Sequence, residues 1–208
     1  MSRAEQPQQV GTLHCLILPG WNNSGPTHWQ GRWPVLHAEA ARFTRVEQDD
    51  WHQPLRGDWM MRLDETLLAE VPLGAEPAVL VAHSLGCHLV AAWAAHSQLT
   101  GRVRAALLVA PPDLDGADAA LTVPPQLHGW RRVVRQRLPF PALMLASDND
   151  PYGTLVRSEG LAADWGADFA SLGPAGHVNP DSGHGDWPEG WARFTHWLAT
   201  LPATPPAV

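Results

Sequence analysis

The stretch Val79–His96, VLVAHSLGCHLVAAWAAH, sets one serine, Ser84, between two small residues, Ala82 and Gly86, where an apolar run gives way to an alanine-rich, helix-favouring one. A serine hydroxyl is a weak nucleophile until a base takes its proton, and it must project from the chain to reach a carbonyl carbon. A sharp strand-to-helix turn projects it, and the crowded backbone of such a turn needs small residues two before and two after the serine. Ala82 and Gly86 meet that need, with alanine where glycine is commoner. The helix that follows aims its first N–H groups at developing negative charge, which nominates the Leu85 N–H as an oxyanion donor. A serine between small residues is also an ordinary helix N-cap, so the pentapeptide must be weighed with what the rest of the chain supplies. The adjacent His83 points elsewhere on such a turn and reads as a packing or supporting residue rather than the base.

The base and its orienting acid are sought downstream. Asp148 and Asp150 follow the apolar run PALMLAS in DNDPYG. An Asx turn ahead of Pro151 would account for either, and Asp150 is the preferred acid. His177 lies just beyond ADFASL in GPAGHVNPDSGHGDWPEGW and is preferred as base over His184, further along the same stretch. The order Ser84, Asp150, His177 is that of the α/β-hydrolases, and not of the chymotrypsin or subtilisin arrangements. The second oxyanion donor of that scheme comes from the loop after an early strand. LPGWNNSGPTHWQ occupies that place, and the Trp21 N–H after Gly20 is the choice. The loop has neither G-x-G-x-x-G nor G-x-x-x-x-G-K-[ST], which argues against a nucleotide site.

The elements that must position these residues follow from the hydrophobic pattern. LHCLIL (13–18), FTRVEQ (43–48), AVLVAH (78–83), VRAALLVA (103–110), PALMLAS (141–147) and ADFASL (167–172) read as strands. Helices are predicted in HWQGRWPVLHAEAARF, interrupted or kinked at Pro34, in GDWMMRLDETLLAEV with Met60, Leu63, Leu67 and Leu68 at helical spacing, from Ser84 onward, and over about 153–165 and 187–200. Near-continuous apolar strands are those buried on both faces, hence parallel and covered by helices. A repeated strand–helix order gives an open α/β sheet, and function then gathers past the carboxyl ends of its strands.

Composition sets the bounds. With 208 residues, 45% of them hydrophobic, the chain is expected to form one domain over 1–208, fraying at 1–11 and 201–208. A net charge of −7 with 14 Lys and Arg argues against a nucleic-acid partner. The start, MSRAEQPQQVGT, has no apolar signal core, and no run approaches the ~20 apolar residues that span a bilayer. The expectation is a soluble, cytoplasmic protein without a membrane partner. Cys15 and Cys87 are expected as free buried thiols. Eleven histidines fall into no metal-ligand spacing; His14, His37, His52, His96, His128 and His196 read as ordinary residues, and neither metal nor cofactor is expected. Trp187, Trp191 and Trp197 fall on a helix-like face that should pack on the sheet. Trp21 and Trp29, in the first loop, are pocket candidates.

Taken together, LPGWNNSGPTHWQ, VAHSLGCHLVAAW, ASDNDPY and GHVNPDSGHGDWPEGW resemble the small serine hydrolases related to retinoblastoma-binding protein nine, an α/β-hydrolase family with many bacterial members. The likeness runs from about Leu13 to Trp197. It implies a compact, mostly parallel sheet of about six strands with helices on both faces and little or no cap, with Ser84 as nucleophile, Asp150 as acid and His177 as base. His28, inside the first-loop motif, either holds that loop or contacts substrate, and the structural role is preferred. The expected activity is cofactor-free, metal-independent hydrolysis of a small ester or an amide through an acyl-enzyme. Two other readings stay open: a protein-binding module on a hydrolase fold, and acyl transfer to an acceptor other than water. The segment Pro111–Pro141 is the only stretch long enough to overhang the site. Its Leu, Val and Trp130 would suit a modest acyl group, while Arg131, Arg132, Arg135 and Arg137 either greet an anionic substrate or form a solvated face.

Overall fold

In the computed structural model, residues 13–117 and 119–202 are described. The ends expected to fray lie outside them, Leu201 and Pro202 excepted. Each apolar run forms a strand: β1 (Leu13–Leu18), β2 (Ala41–Arg45), β3 (Ala78–His83), β4 (Val103–Val109), β5 (Ala142–Ala146) and β6 (Asp168–Ser171). All pairs are parallel, in the order β2-β1-β3-β4-β5-β6. Between them run α1 (Trp29–Leu36), α2 (Arg56–Glu70), α3 (Leu85–Ala94), the single turn α4 (Ala119–Thr122), α5 (Leu155–Trp165) and α6 (Pro188–Thr200).

Alternation along the strands builds two cores. Val79 and Val81 of β3 join Trp29 and Trp33 of α1 and Phe194 and Leu198 of α6 on one face. Leu80 and Ala82 join Trp59, Leu63 and Leu67 of α2, Leu89 and Trp93 of α3 and Trp165 of α5 on the other. A sheet covered on both faces is the α/β-hydrolase arrangement the sequence implies. Cys15 and Cys87 are free and buried, one in each core, and burial pushes both thiols up, which keeps them unreactive. Trp187 and Trp191 pack with the α1-side core, and Trp197 lies against it partly buried.

Two boundaries differ from expectation. The helix predicted over 28–43 holds Pro34 within it but stops at Leu36, and Ala41 instead pairs with Leu13 to start β2. On α2 the buried stripe is Trp59, Leu63 and Leu67, each four residues on from the last. That stripe turns Leu68 outward, where it is 54% exposed.

The chain passes from β1 outward to β2 and then returns to β3 on the other side of β1. The loops leaving β1 and β3 therefore diverge and open a crevice at their carboxyl ends. Gly20-Trp21 and Ser84 both lie at that crevice.

Candidate active site

Ser84 links β3 to α3 with φ 54° and ψ −123°, a conformation that costs a non-glycine residue on the order of 1–3 kcal/mol. Its N–H donates to the Val109 carbonyl at 2.9 Å, so strand pairing with β4 continues up to Ser84. The strain is forced by proximity. A Cβ on Gly86 would stand 2.3 Å from the Leu18 carbonyl oxygen, and one on Gly20 would stand 2.7 Å from the Ser84 Cβ and 3.1 Å from its Oγ. The Ser84 turn is thus pressed between the end of β1 and the loop that follows it. Ala82, in register with Leu18 inside the sheet, is fully buried.

The side chains at the three positions converge. Ser84 Oγ is 3.0 Å from His177 Nε2, and His177 Nδ1 is 3.0 and 2.9 Å from the two oxygens of Asp150. The pair is shielded, with His177 10% and Asp150 5% exposed at the side chain. Asp150 also accepts the Tyr152 N–H at 2.9 Å, and the Tyr152 ring meets the His177 imidazole edge-on at 4.5 Å. The loop bearing His177 is fastened from β5. Ser147 Oγ accepts the Ala175 N–H at 2.9 Å, and Asn149 Oδ1 accepts the Gly176 N–H at 2.7 Å. The rival residues have other partners: Asp148 accepts a hydrogen bond from Ser171 Oγ, and His184 Nδ1 meets Ser182 Oγ at 3.2 Å.

The loop after β1 folds over the same spot. Asn22 and Asn23 take φ of 65° and 67°, left-handed values that asparagine tolerates better than most residues. Asn22 donates its N–H to Trp51 O and places its Oδ1 2.8 Å from His52 Nδ1. Leu85 opens α3, so the helix itself offers its main-chain N–H no acceptor, and among the described residues neither this N–H nor that of Trp21 makes a turn or loop hydrogen bond to the main chain. Sequence reasoning missed the side chain that ties this loop down. Gln30, fully buried, donates from Nε2 to Leu18 O at 3.1 Å and Val81 O at 3.0 Å, and accepts from Ser24 Oγ at 2.6 Å. One amide thereby joins β1, β3 and the loop, and only the N-S-G-P-x-H-W-Q motif hinted at it. His28 caps α1, its Nδ1 accepting the Gln30 N–H at 3.1 Å. Burial first, then the nearby His177 and Arg45, lower its pKa to about 3, so the ring is neutral.

A sequence profile of the serine hydrolase family matches residues 15–196. The chain belongs to that family. No curated protein matches the hydrolase in sequence. Solved structures share its fold at low identity. A protein described as a YdeN-like hydrolase from Pectobacterium atrosepticum is 24% identical with a TM-score of 0.74, over 92% of this chain and 94% of that one. The ydeN gene product of B. subtilis is 22% identical with a TM-score of 0.71, over 91% and 100%. Esterase RhEst1 from Rhodococcus sp. ECU1013 is 18% identical with a TM-score of 0.63, over 91% of each chain.

The hydrolase carries a cavity of about 780 Å³ with Ser84 and His177 in its lining. One wall, from Leu85 and the 112–127 stretch, is largely apolar, with Leu114, Val123, Pro124 and Leu127. The rest of the lining includes a polar wall, with Asn22, Asn23, Thr27 and Asn179. Trp21 and His28 line the cavity, but Trp29 does not. It is fully buried behind the site, its Nε1–H donating to Val178 O at 2.9 Å, so it braces the loop beyond His177 and the pocket role expected of it is withdrawn. Trp130 likewise turns into the core and donates to Pro54 O at 2.8 Å. Among the described lining residues there is no Lys or Arg. Arg131, Arg132, Arg135 and Arg137 are not among the lining residues, and Arg135 is paired with Asp115 and Asp164, so the run does not present an anion receiver to the cavity. Among the described residues no helix is long and apolar enough to cross a membrane.

Proposed function

We propose that this hydrolase is a serine esterase that cleaves small uncharged esters through an acyl-enzyme on Ser84, with His177 as general base and acid and Asp150 as the carboxylate that orients it. The observation that carries the reading is the 3.0 Å contact from Ser84 Oγ to His177 Nε2 in line with the 2.9 Å contact from His177 Nδ1 to Asp150. The closeness of its loop motifs to the hydrolases related to retinoblastoma-binding protein nine, and the esterase among its structural neighbours, favour the same chemistry.

In this mechanism Ser84 Oγ attacks the carbonyl carbon as His177 Nε2 takes its proton. The carbonyl π electrons move to oxygen, and the Trp21 and Leu85 N–H groups receive the oxyanion. Collapse breaks the bond to the leaving alcohol, which takes the proton from His177. Water then enters, loses a proton to His177, attacks the acyl carbon, and Ser84 is released with that proton restored. Asp150 holds the Nδ1–H tautomer throughout and stabilises the transient imidazolium. The apolar wall receives the acyl chain and the polar wall the alcohol. The lack of a cation among the described lining residues disfavours substrates with a free carboxylate, which would be desolvated without a partner.

A fluorophosphonate probe should label the native protein, with labelling abolished in Ser84→Ala and lowered at least 10³-fold in rate in His177→Ala, about the scale of triad loss. p-Nitrophenyl esters of increasing chain length, read beside a hemisuccinate ester, should show turnover of the neutral series and rejection of the anion. Labelling that survives in Ser84→Ala would remove the nucleophile assignment.

A further inference from the structure

We propose that His83, the residue before the nucleophile, is a positioning residue for the base: the hydrogen bond from its side chain to the main chain of His177 holds that imidazole against Ser84. This rests on the reading of Ser84, His177 and Asp150 as a catalytic triad.

His83 Nε2 lies 2.8 Å from the His177 carbonyl oxygen. A carbonyl only accepts, so Nε2 carries the hydrogen and the tautomer of His83 is fixed. The ring is 5% exposed. It packs 4.8 Å from the His177 ring on one side and 4.7 Å from His28, edge-on, on the other, with Trp29 perpendicular at 5.9 Å. Burial first, then the neighbouring His28 and His177, push its pKa well down. His83 is therefore uncharged and does not oppose an imidazolium forming at His177.

These contacts close a short circuit. Ser84 is joined to His83 by one peptide bond, His83 to the His177 carbonyl by one hydrogen bond, and the His177 side chain returns to Ser84 Oγ at 3.0 Å. The nucleophile and its base thus share an anchor beyond the bonds that Ser147, Asn149 and Trp29 make to the loop, although they stand 93 positions apart in the chain. The loop needs one. Gly176 and Val178, on either side of His177, both have positive φ, 59° and 49°, and the second is costly for a β-branched residue. The support continues beneath, where His28 takes the Gln30 N–H on Nδ1 and Gln30 binds the ends of β1 and β3. Misplacing a reacting group by about 1 Å costs on the order of 10²-fold in rate. The circuit fixes the Ser84–His177 distance on that scale.

Two variants separate a hydrogen-bond donor from a packing ring. His83→Phe keeps a ring and loses the N–H; His83→Gln loses the ring and keeps an N–H of similar reach. On a neutral p-nitrophenyl ester, the Phe variant should lose about 10- to 100-fold in kcat with KM changed less than about threefold, and the Gln variant should recover most of the loss. Phe retaining more than half of kcat, or Gln as impaired as Phe, would overturn the proposal. Should the Phe variant not fold, His83→Met beside His83→Gln gives the same contrast at matched volume. The downfield proton resonance of the His177–Asp150 hydrogen bond should stay sharp in wild type and Gln and be lost to exchange in Phe or Met; an unchanged resonance in those variants also overturns it. That resonance does not depend on turnover. A wild type that cleaves no ester therefore defeats the esterase reading alone, while the resonance still decides the role of His83.

Discussion

The carboxylate of Asp150 accepts the Tyr152 N–H at 2.9 Å and also faces His177 Nδ1, so the Asx turn that could have explained this residue away coexists with the contact to His177. The two interactions can be separated. Asp150→Asn keeps an oxygen for the Tyr152 N–H but offers His177 a poorer acceptor, and kcat should fall about 10⁴-fold with the melting temperature nearly unchanged. Asp150→Ala should lose a similar amount of activity and also several degrees of melting temperature, since it removes the turn's own hydrogen bond. An Asn variant keeping a tenth of the wild-type kcat would end the assignment. At this scale the sequence exposed what chain order exposes: a serine, an acid and a histidine following strands in a recognisable succession. It hid the donors behind them. Gln30 and Ser24 are small polar residues in a loop, with no periodicity to betray that they are buried and bonded to each other. Trp29 looked the same as Trp21 in sequence, and only the direction of its indole N–H, toward Val178 O, separates the roles.

The central strands were legible as elements because they are apolar runs with both faces covered, and β3, β4 and β5 have almost no exposed position to blur them, whereas the edge strands β2 and β6 are only partly buried. The α1–β2 junction was not, because HAEAAR favours a helix locally while pairing of Ala41 and Phe43 with β1 decides the outcome. At the β3–α3 turn, element packing sets chemistry. Gly86→Ala would bring a methyl group to 2.3 Å from a backbone oxygen that cannot swing aside. About 1–3 kcal/mol of destabilisation is expected, with fluorophosphonate labelling lost as the turn shifts. Gly20→Ala places its methyl against Ser84 instead, 2.7 Å from Cβ. It should slow labelling strongly at a smaller cost in stability, because the loop after β1 can yield where the sheet cannot. Equal melting temperatures and undiminished labelling in both variants would show that neither contact constrains Ser84.

For the whole molecule, the concentration of neutral histidines in the interior sets an acid limit that the net charge of −7 does not foretell. Burial lowers His28 to about 3 and His88 to about 4, and pushes His83 down as well. The His28 ring packs on His83, His83 packs on His177, and His88 bonds the Pro112 carbonyl, so the same interior that isolates the site excludes their charged forms. Their folded values lie below the ordinary 6.5, so the unfolded chain binds more protons than the folded one once the pH drops under 6.5. The stability they confer is complete above that pH and is lost as the pH falls toward the folded values. At pH 5, His28 and His88 should each have withdrawn about 2 kcal/mol, with His83 acting in the same direction, against a typical total of about 5–15 kcal/mol. Urea melts between pH 8 and pH 4.5 should therefore show a plateau down to about pH 6.5 and a steep loss below it. Replacing His88, which touches neither Ser84 nor His177, by Gln should flatten that loss by about one proton's worth and leave ester turnover near wild type. A pH-independent midpoint down to pH 5 would mean that these imidazoles take up protons in place, and that the interior around the site is wetter than their burial implies.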